Sequence, residues 1–121
     1  MLPAPNRLRE RSDFTSAVRS FGGCRAGSRL LVVHATSTGA RAGLPPRVGF
    51  VESKAVGGAV VRNRTKRRLR ALVAQRLDGI PTSVDLVVRA NPPAGQASSR
   101  ELEQALDPLL RRVVKGLGGA A

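Results

Sequence analysis

Six of the nine residues from Arg62 to Arg70 are cationic, and they sit inside a stretch, 59–77, that contains neither Gly nor Pro. This segment limits the fold more than any other. A stretch of that length without a breaker favours a helix. On a helix Asn63, Lys66, Arg67 and Arg70 recur at i, i+3, i+4 and i+7, so they share one face. Val61, Thr65, Leu69 and Leu72 fall on the opposite side and can dock on a sheet, while Arg64 and Arg68 flank the polar face. Like charges one turn apart repel by roughly 0.2–0.5 kcal/mol a pair. No acid lies between residues 53 and 77 to offset that repulsion. The helix must therefore anchor one stripe and leave the other either to solvent or to a polyanion.

The rest of the chain favours the polyanion. Lys plus Arg is 21 against 8 Asp plus Glu, a net charge of +13 on 121 residues. That balance argues against an acidic small-molecule substrate and for a nucleic-acid partner. Only three cations are lysines, Lys54, Lys66 and Lys115. Guanidinium suits bidentate phosphate contact, although a GC-rich genome produces the same bias. Three Phe and no Trp or Tyr leave little for stacking bases. The single cysteine, Cys24, excludes an internal disulfide and a cysteine-based zinc site, and fits a reducing, cytoplasmic setting. No apolar run approaches a membrane span. The first fourteen residues, MLPAPNRLRERSDF, lack the apolar core of a signal peptide.

The pattern predicts one α+β domain over 1–121, with a flexible arm at 1–11 and a frayed tail at 118–121. Ser12 or Asp13 can cap a short helix carrying Phe14, Ala17, Val18 and Phe21, ended by Gly22-Gly23. Strands are expected at 30–35, 48–51 and 84–88, with something strand-like near 21–25 to partner them. Residues 36–46 read as a Gly/Pro loop and 91–95 as a turn. Ser98 and Glu101 form a capping-box pattern ahead of an apolar stripe running from Leu102 to Leu117. Pro108 interrupts the stripe, and either kinks that helix or starts a second one.

The acids Glu10, Asp13, Glu52, Asp78, Asp85, Glu101, Glu103 and Asp107 are scattered. No cluster suits a two-metal nuclease, so no catalytic and no metal-binding residue is assigned. Glu101 and Glu103 read as cap and surface groups. His34, the only histidine, has no second histidine, cysteine pair or acid near it in sequence. A satisfied or exposed strand end is its plain reading. Two readings remain at this level: a ribosomal or general RNA-binding protein, and a DNA-binding module with the helix in a groove. Against the last, only Asn63 offers a neutral base-reading side chain.

The segment RVGFVESKAVGGAVVRNRTKRRLRAL resembles the signature of the bacterial ribonuclease P protein subunit. The matching residues are Arg47–Phe50, Ser53-Lys54, Gly57, Arg62-Asn63-Arg64, Lys66-Arg67 and, one turn on, Arg70. Asn6-Arg7-Leu8, Asp13-Phe14 and Leu86–Ala90 agree as well, so the resemblance spans about residues 5–115. It implies a four-stranded sheet with three helices in the order αβββαβα and a left-handed crossover through the basic helix. It implies a monomeric small subunit, one per holoenzyme. The partners implied are a catalytic RNA, which holds the active-site Mg²⁺, and precursor tRNA, which loses its 5′ leader. Arg62, Asn63, Arg64, Lys66, Arg67, Arg68, Arg70 and Lys54 would face the RNA subunit. Phe14, Val18, His34 and Arg11 would line the leader cleft, His34 standing where an aromatic is usual. Ala55 and Gly58 depart from the family's more polar turn. Phe14 has core packing as its alternative. Arg89, after the last strand, would extend the phosphate-binding surface.

Overall fold

The computed structural model describes residues 24–37, 43, 45–52, 54–81 and 84–119. Four strands form one sheet: β1 (Cys24–Gly27), β2 (Leu31–Ser37), β3 (Arg47–Glu52) and β4 (Val84–Ala90). Two long helices follow the strands they serve, α1 (Ala59–Ala74) after β3 and α2 (Ser99–Gly119) after β4. The sheet order is β1-β2-β4-β3, antiparallel except for the β3–β4 pair. Parallel neighbours need a crossover, and α1 supplies it. The helix expected at 14–21 lies outside the described residues.

Strand parity decides which side chains meet. On one face the registers align Cys24, Ala35, Leu86 and Val48, then Ala26, Val33, Val88 and Phe50. These residues form one cluster with Leu69, Leu72 and Val73 of α1 and Leu102, Leu106, Leu109, Leu110 and Val113 of α2. Both helices therefore cover this face. The opposite face aligns Arg25, His34, Val87 and Gly49, then Gly27, Val32, Arg89 and Val51. Val32 and Val87 are buried there, outside the main cluster.

Several boundaries differ from the sequence reading. β2 runs on through Ser37, and β4 through Ala90, because each continues to find a ladder partner in the other. Arg89 therefore lies inside a strand rather than after it. α1 ends at Ala74, and a 3-10 turn at Leu77–Gly79 completes the segment. α2 is one helix through Pro108 as far as Gly119, so no second helix starts at that proline. Pro108 is on the exposed side, where the carbonyl it leaves without a donor can turn to water. The predicted capping box forms: the Ser98 amide donates to Glu101 and the Glu101 amide to Ser98 Oγ, at 3.0 and 3.1 Å. Glu103, expected as a plain surface group, instead holds Arg76 at 2.7 Å.

Candidate nucleic-acid interface

The basic helix begins without help. Its N-cap is Gly58, no side chain caps it, and its first turn carries no acid. The turn into it needs glycine at 57, where φ is +149° and a Cβ would stand 2.8 Å from Val61 Cβ. What anchors the helix is its inner stripe, Thr65, Leu69, Leu72 and Val73, all buried. Thr65 Oγ1 donates to the Val61 carbonyl at 2.9 Å, which satisfies the one polar group in that stripe.

The cations are not equivalent. Asn63, Arg67 and Arg70 are exposed along one line of the helix. Val60, at the head of the same line, is 79% exposed. Lys54 is exposed in the short 3-10 turn Lys54–Val56 that precedes the helix. Arg62, Arg64, Lys66 and Arg68 are half-buried. Lys66 meets Glu52 at 3.1 Å, which corrects the expectation that no acid pairs with the run. Glu52 ends β3 on the helix-covered face, and the return of the chain brings it under α1. Arg64 Nη2 donates to the Gly95 carbonyl at 3.1 Å and Arg68 Nη1 to the Ala97 carbonyl at 2.8 Å. Both carbonyls belong to the segment that joins β4 to α2. Hence Arg64 and Arg68, expected to flank the polar face and to face the RNA subunit, are each tied into the fold by one bond.

His34 stands on the other side of the sheet, directly opposite Arg25 on β1. Arg89 is one register step away, across from Val32. Partial burial pushes the imidazole below its ordinary pKa, and the charges of Arg25 and Arg89 push it further the same way. It is therefore a neutral ring between two guanidiniums at neutral pH. Arg25 escaped the sequence reading, since only the β1–β2 register reveals it. The Arg47 guanidinium holds Asp85 by two bonds, 2.9 and 2.7 Å, at the edge of the same face. Phe14, Val18 and Arg11 lie outside the described residues. The described part of the site thus splits over two faces, with Lys54, Asn63, Arg67 and Arg70 on α1 and its approach, and Arg25, His34 and Arg89 on the sheet face opposite the two described helices.

A family model described as Ribonuclease P matches residues 2–114. The ribonuclease P protein component of Streptomyces bikiniensis is 52% identical over 122 residues, covering 96% of this chain and 98% of that one. The chain belongs to the ribonuclease P protein family. Its Streptomyces griseus relative is 53% identical over 128 residues, covering 100% of this chain and 99% of its own. The RNase P protein structure of Staphylococcus aureus superposes with a TM-score of 0.77 at 25% identity, over 90% of this chain and 97% of that one. The four-stranded mixed α+β fold is thus that of ribonuclease P proteins. As a ribonuclease P protein component, the chain is an RNA-binding part of a ribonucleoprotein that processes tRNA. No described helix is long and apolar enough to cross a membrane.

Proposed function

We propose that this chain assists removal of the 5′ leader from precursor tRNA by using its two faces for two RNAs. The exposed line of α1, Asn63, Arg67 and Arg70, with Lys54 beside it, rests on phosphates of the catalytic RNA. The opposite sheet face, with His34 between Arg25 and Arg89, receives the single-stranded leader. Phe14, Val18 and Arg11 complete that cleft on the strength of the sequence resemblance. One observation carries the reading: strand parity and the docking of α1 on one face segregate the cations into two sets.

The chemistry belongs to the RNA subunit and the Mg²⁺ it binds. Among the described residues no three His, Cys, Asp or Glu gather as metal ligands. Five of the six described carboxylates are engaged instead: Asp85 with Arg47, Glu52 with Lys66, Glu103 and Asp107 with Arg76, and Glu101 in its helix cap. Each is held by a cation or an amide rather than turned to a common point, which suits a protein that binds and orients. Its groups do two things. Guanidiniums on α1 neutralise backbone phosphates and release counterions. A neutral imidazole offers a ring to a base while Arg25 and Arg89 can take flanking phosphates.

The test uses reconstituted holoenzyme and two substrates, precursor tRNA with a leader and mature tRNA. Stacking one base is worth roughly 1–3 kcal/mol, and imidazole belongs at the low end. His34→Ala is expected to weaken precursor binding about fivefold and leave mature tRNA unchanged. Equal loss for both substrates would refute the leader assignment.

A further inference from the structure

We propose that Arg64 and Arg68 are positioning residues, which set the RNA-binding line of α1 against the rest of the fold and do not themselves hold phosphate. The proposal rests on the reading that the outer face of α1 binds RNA. It divides the basic run into two classes that sequence cannot separate, since all its members are cations on one helix.

The two side chains sit one turn apart on the flank of α1 and make parallel rungs to one short segment. Arg64 Nη2 donates to the Gly95 carbonyl, and Arg68 Nη1 to the Ala97 carbonyl two residues on. That segment, the 3-10 turn Pro92–Gln96 and the residue after it, leads directly into the Ser98 cap of α2. The same segment is pressed against the other approach to α1. A Cβ on Gly95 would lie 2.2 Å from the Val56 carbonyl oxygen and 3.1 Å from Val61 Cγ1. Backbone therefore meets backbone there, and only glycine permits the approach. The turn that carries Lys54, the first turn of α1 and the start of α2 are fused at one junction. The two arginines are the side chains that close it.

One donor group of each is thereby committed to the fold. Arginine holds phosphate best through a pair of parallel N–H groups. In Arg64 the Nε–Nη2 edge is lost to this role: Nη2 is on Gly95, and Nε is buried with no hydrogen-bond partner among the described residues. Both side chains are half-buried, whereas Arg67 and Arg70 stand exposed, with no side-chain hydrogen bond or ion pair to the described residues. Charge-assisted bonds to buried carbonyls are among the stronger neutral-to-ion contacts. Losing one would let the junction shift, so that Lys54 and the Asn63–Arg67–Arg70 line keep their phosphate contacts but meet them in poorer alignment.

The experiment measures the affinity of the full-length protein for the ribonuclease P RNA over a range of KCl concentrations, with thermal midpoints alongside. Each phosphate contact contributes about 0.7–0.9 to the log–log slope. Arg67→Ala and Arg70→Ala are expected to lower the slope by that amount each and to leave the midpoint in place. Arg64→Ala and Arg68→Ala are expected to lower affinity about tenfold at every salt concentration, with the slope kept. Should either fail to fold, Arg64→Gln and Arg68→Gln retain a neutral donor and remove the charge, and their slope is also expected to match the parent. A slope lowered by a full contact in Arg64→Gln or Arg68→Gln overturns the proposal. So does parental affinity in folded Arg64→Ala and Arg68→Ala together, since a purely structural brace would not touch binding. An unmoved slope in both Arg67→Ala and Arg70→Ala instead overturns the underlying reading of α1.

Discussion

At the scale of single residues, two positions convert local environment into measurable behaviour. His34 is held below its ordinary pKa by burial, then by Arg25 and Arg89. The folded protein thus disfavours the imidazolium, and the unfolded chain takes up the proton first. Stability is complete above about pH 6.5, the unfolded value, and falls as the pH drops through the lower folded one. Thermal midpoints between about pH 5 and pH 8 should show this loss, and His34→Gln should flatten it. A parent curve no steeper than that of the variant would contradict the arrangement. Gly57 and Gly58 provide the second case. Gly57 has φ +149° and no room for a Cβ beside Val61, whereas a Cβ on Gly58 meets nothing within 4 Å. Gly57→Ala should cost about 1–3 kcal/mol, and Gly58→Ala only a few tenths. Denaturant midpoints for the pair check the contrast. A double glycine in sequence does not say which of the two is indispensable; the approach of Val61 does.

At the scale of elements, the weight falls on how α1 is fastened to α2. Arg76, just past α1, donates to the Leu72 carbonyl at 2.8 Å and to Glu103 at 2.7 Å. It also donates to Asp107 through Nε and Nη2. Its side chain is 21% exposed, but those of Glu103 and Asp107 are 43% and 34% exposed, so solvent screens these pairs in part. Arg76→Ala leaves two partly exposed carboxylates without their cation and should destabilise by about 1–2 kcal/mol. Arg76→Ala in a Glu103→Gln, Asp107→Asn background should cost clearly less, because no orphaned charge remains. Urea unfolding of the four proteins measures the coupling, and additive costs would argue against the network. Arg76 drew no attention in the sequence, since it follows the basic run and its acids lie some thirty residues on. The expectation for Glu103 failed for the same reason: a helix face has no assigned neighbour until the helices pack.

At the scale of the whole molecule, the proposed function uses the two-faced distribution of cations as a bridge between two RNAs. Rigorously RNA-free protein should leave precursor tRNA uncleaved in Mg²⁺, because five of its six described carboxylates are held in ion pairs and a cap and no three described ligands gather. Cleavage by RNA-free protein that survives repeated purification would overturn this. The bridge also requires rigidity between its faces. The continuous core from β2 and β4 to α1 and α2 provides it, with Leu31, Leu69, Leu86, Leu102 and Leu106 essentially inaccessible.

Sequence alone determined what short-range rules govern. The unbroken run from Ala59, the apolar stripe beyond Ser98 and the capping box are set by neighbours within a turn or two, and all three formed. The basic face of Asn63, Arg67 and Arg70 follows from helical period once the helix exists. Tertiary structure decided everything that needed a partner distant in the chain. The β1–β2 register put Arg25 beside His34, and strand parity set both, with Arg89, away from α1. The return of the chain after β4 set Gly95 and Ala97 against Arg64 and Arg68, and the end of β3 delivered Glu52 to Lys66. A charge advertises itself locally, but whether it is spent inside the fold or left for RNA depends on which acceptor lies within three ångströms. Only packing chooses that neighbour.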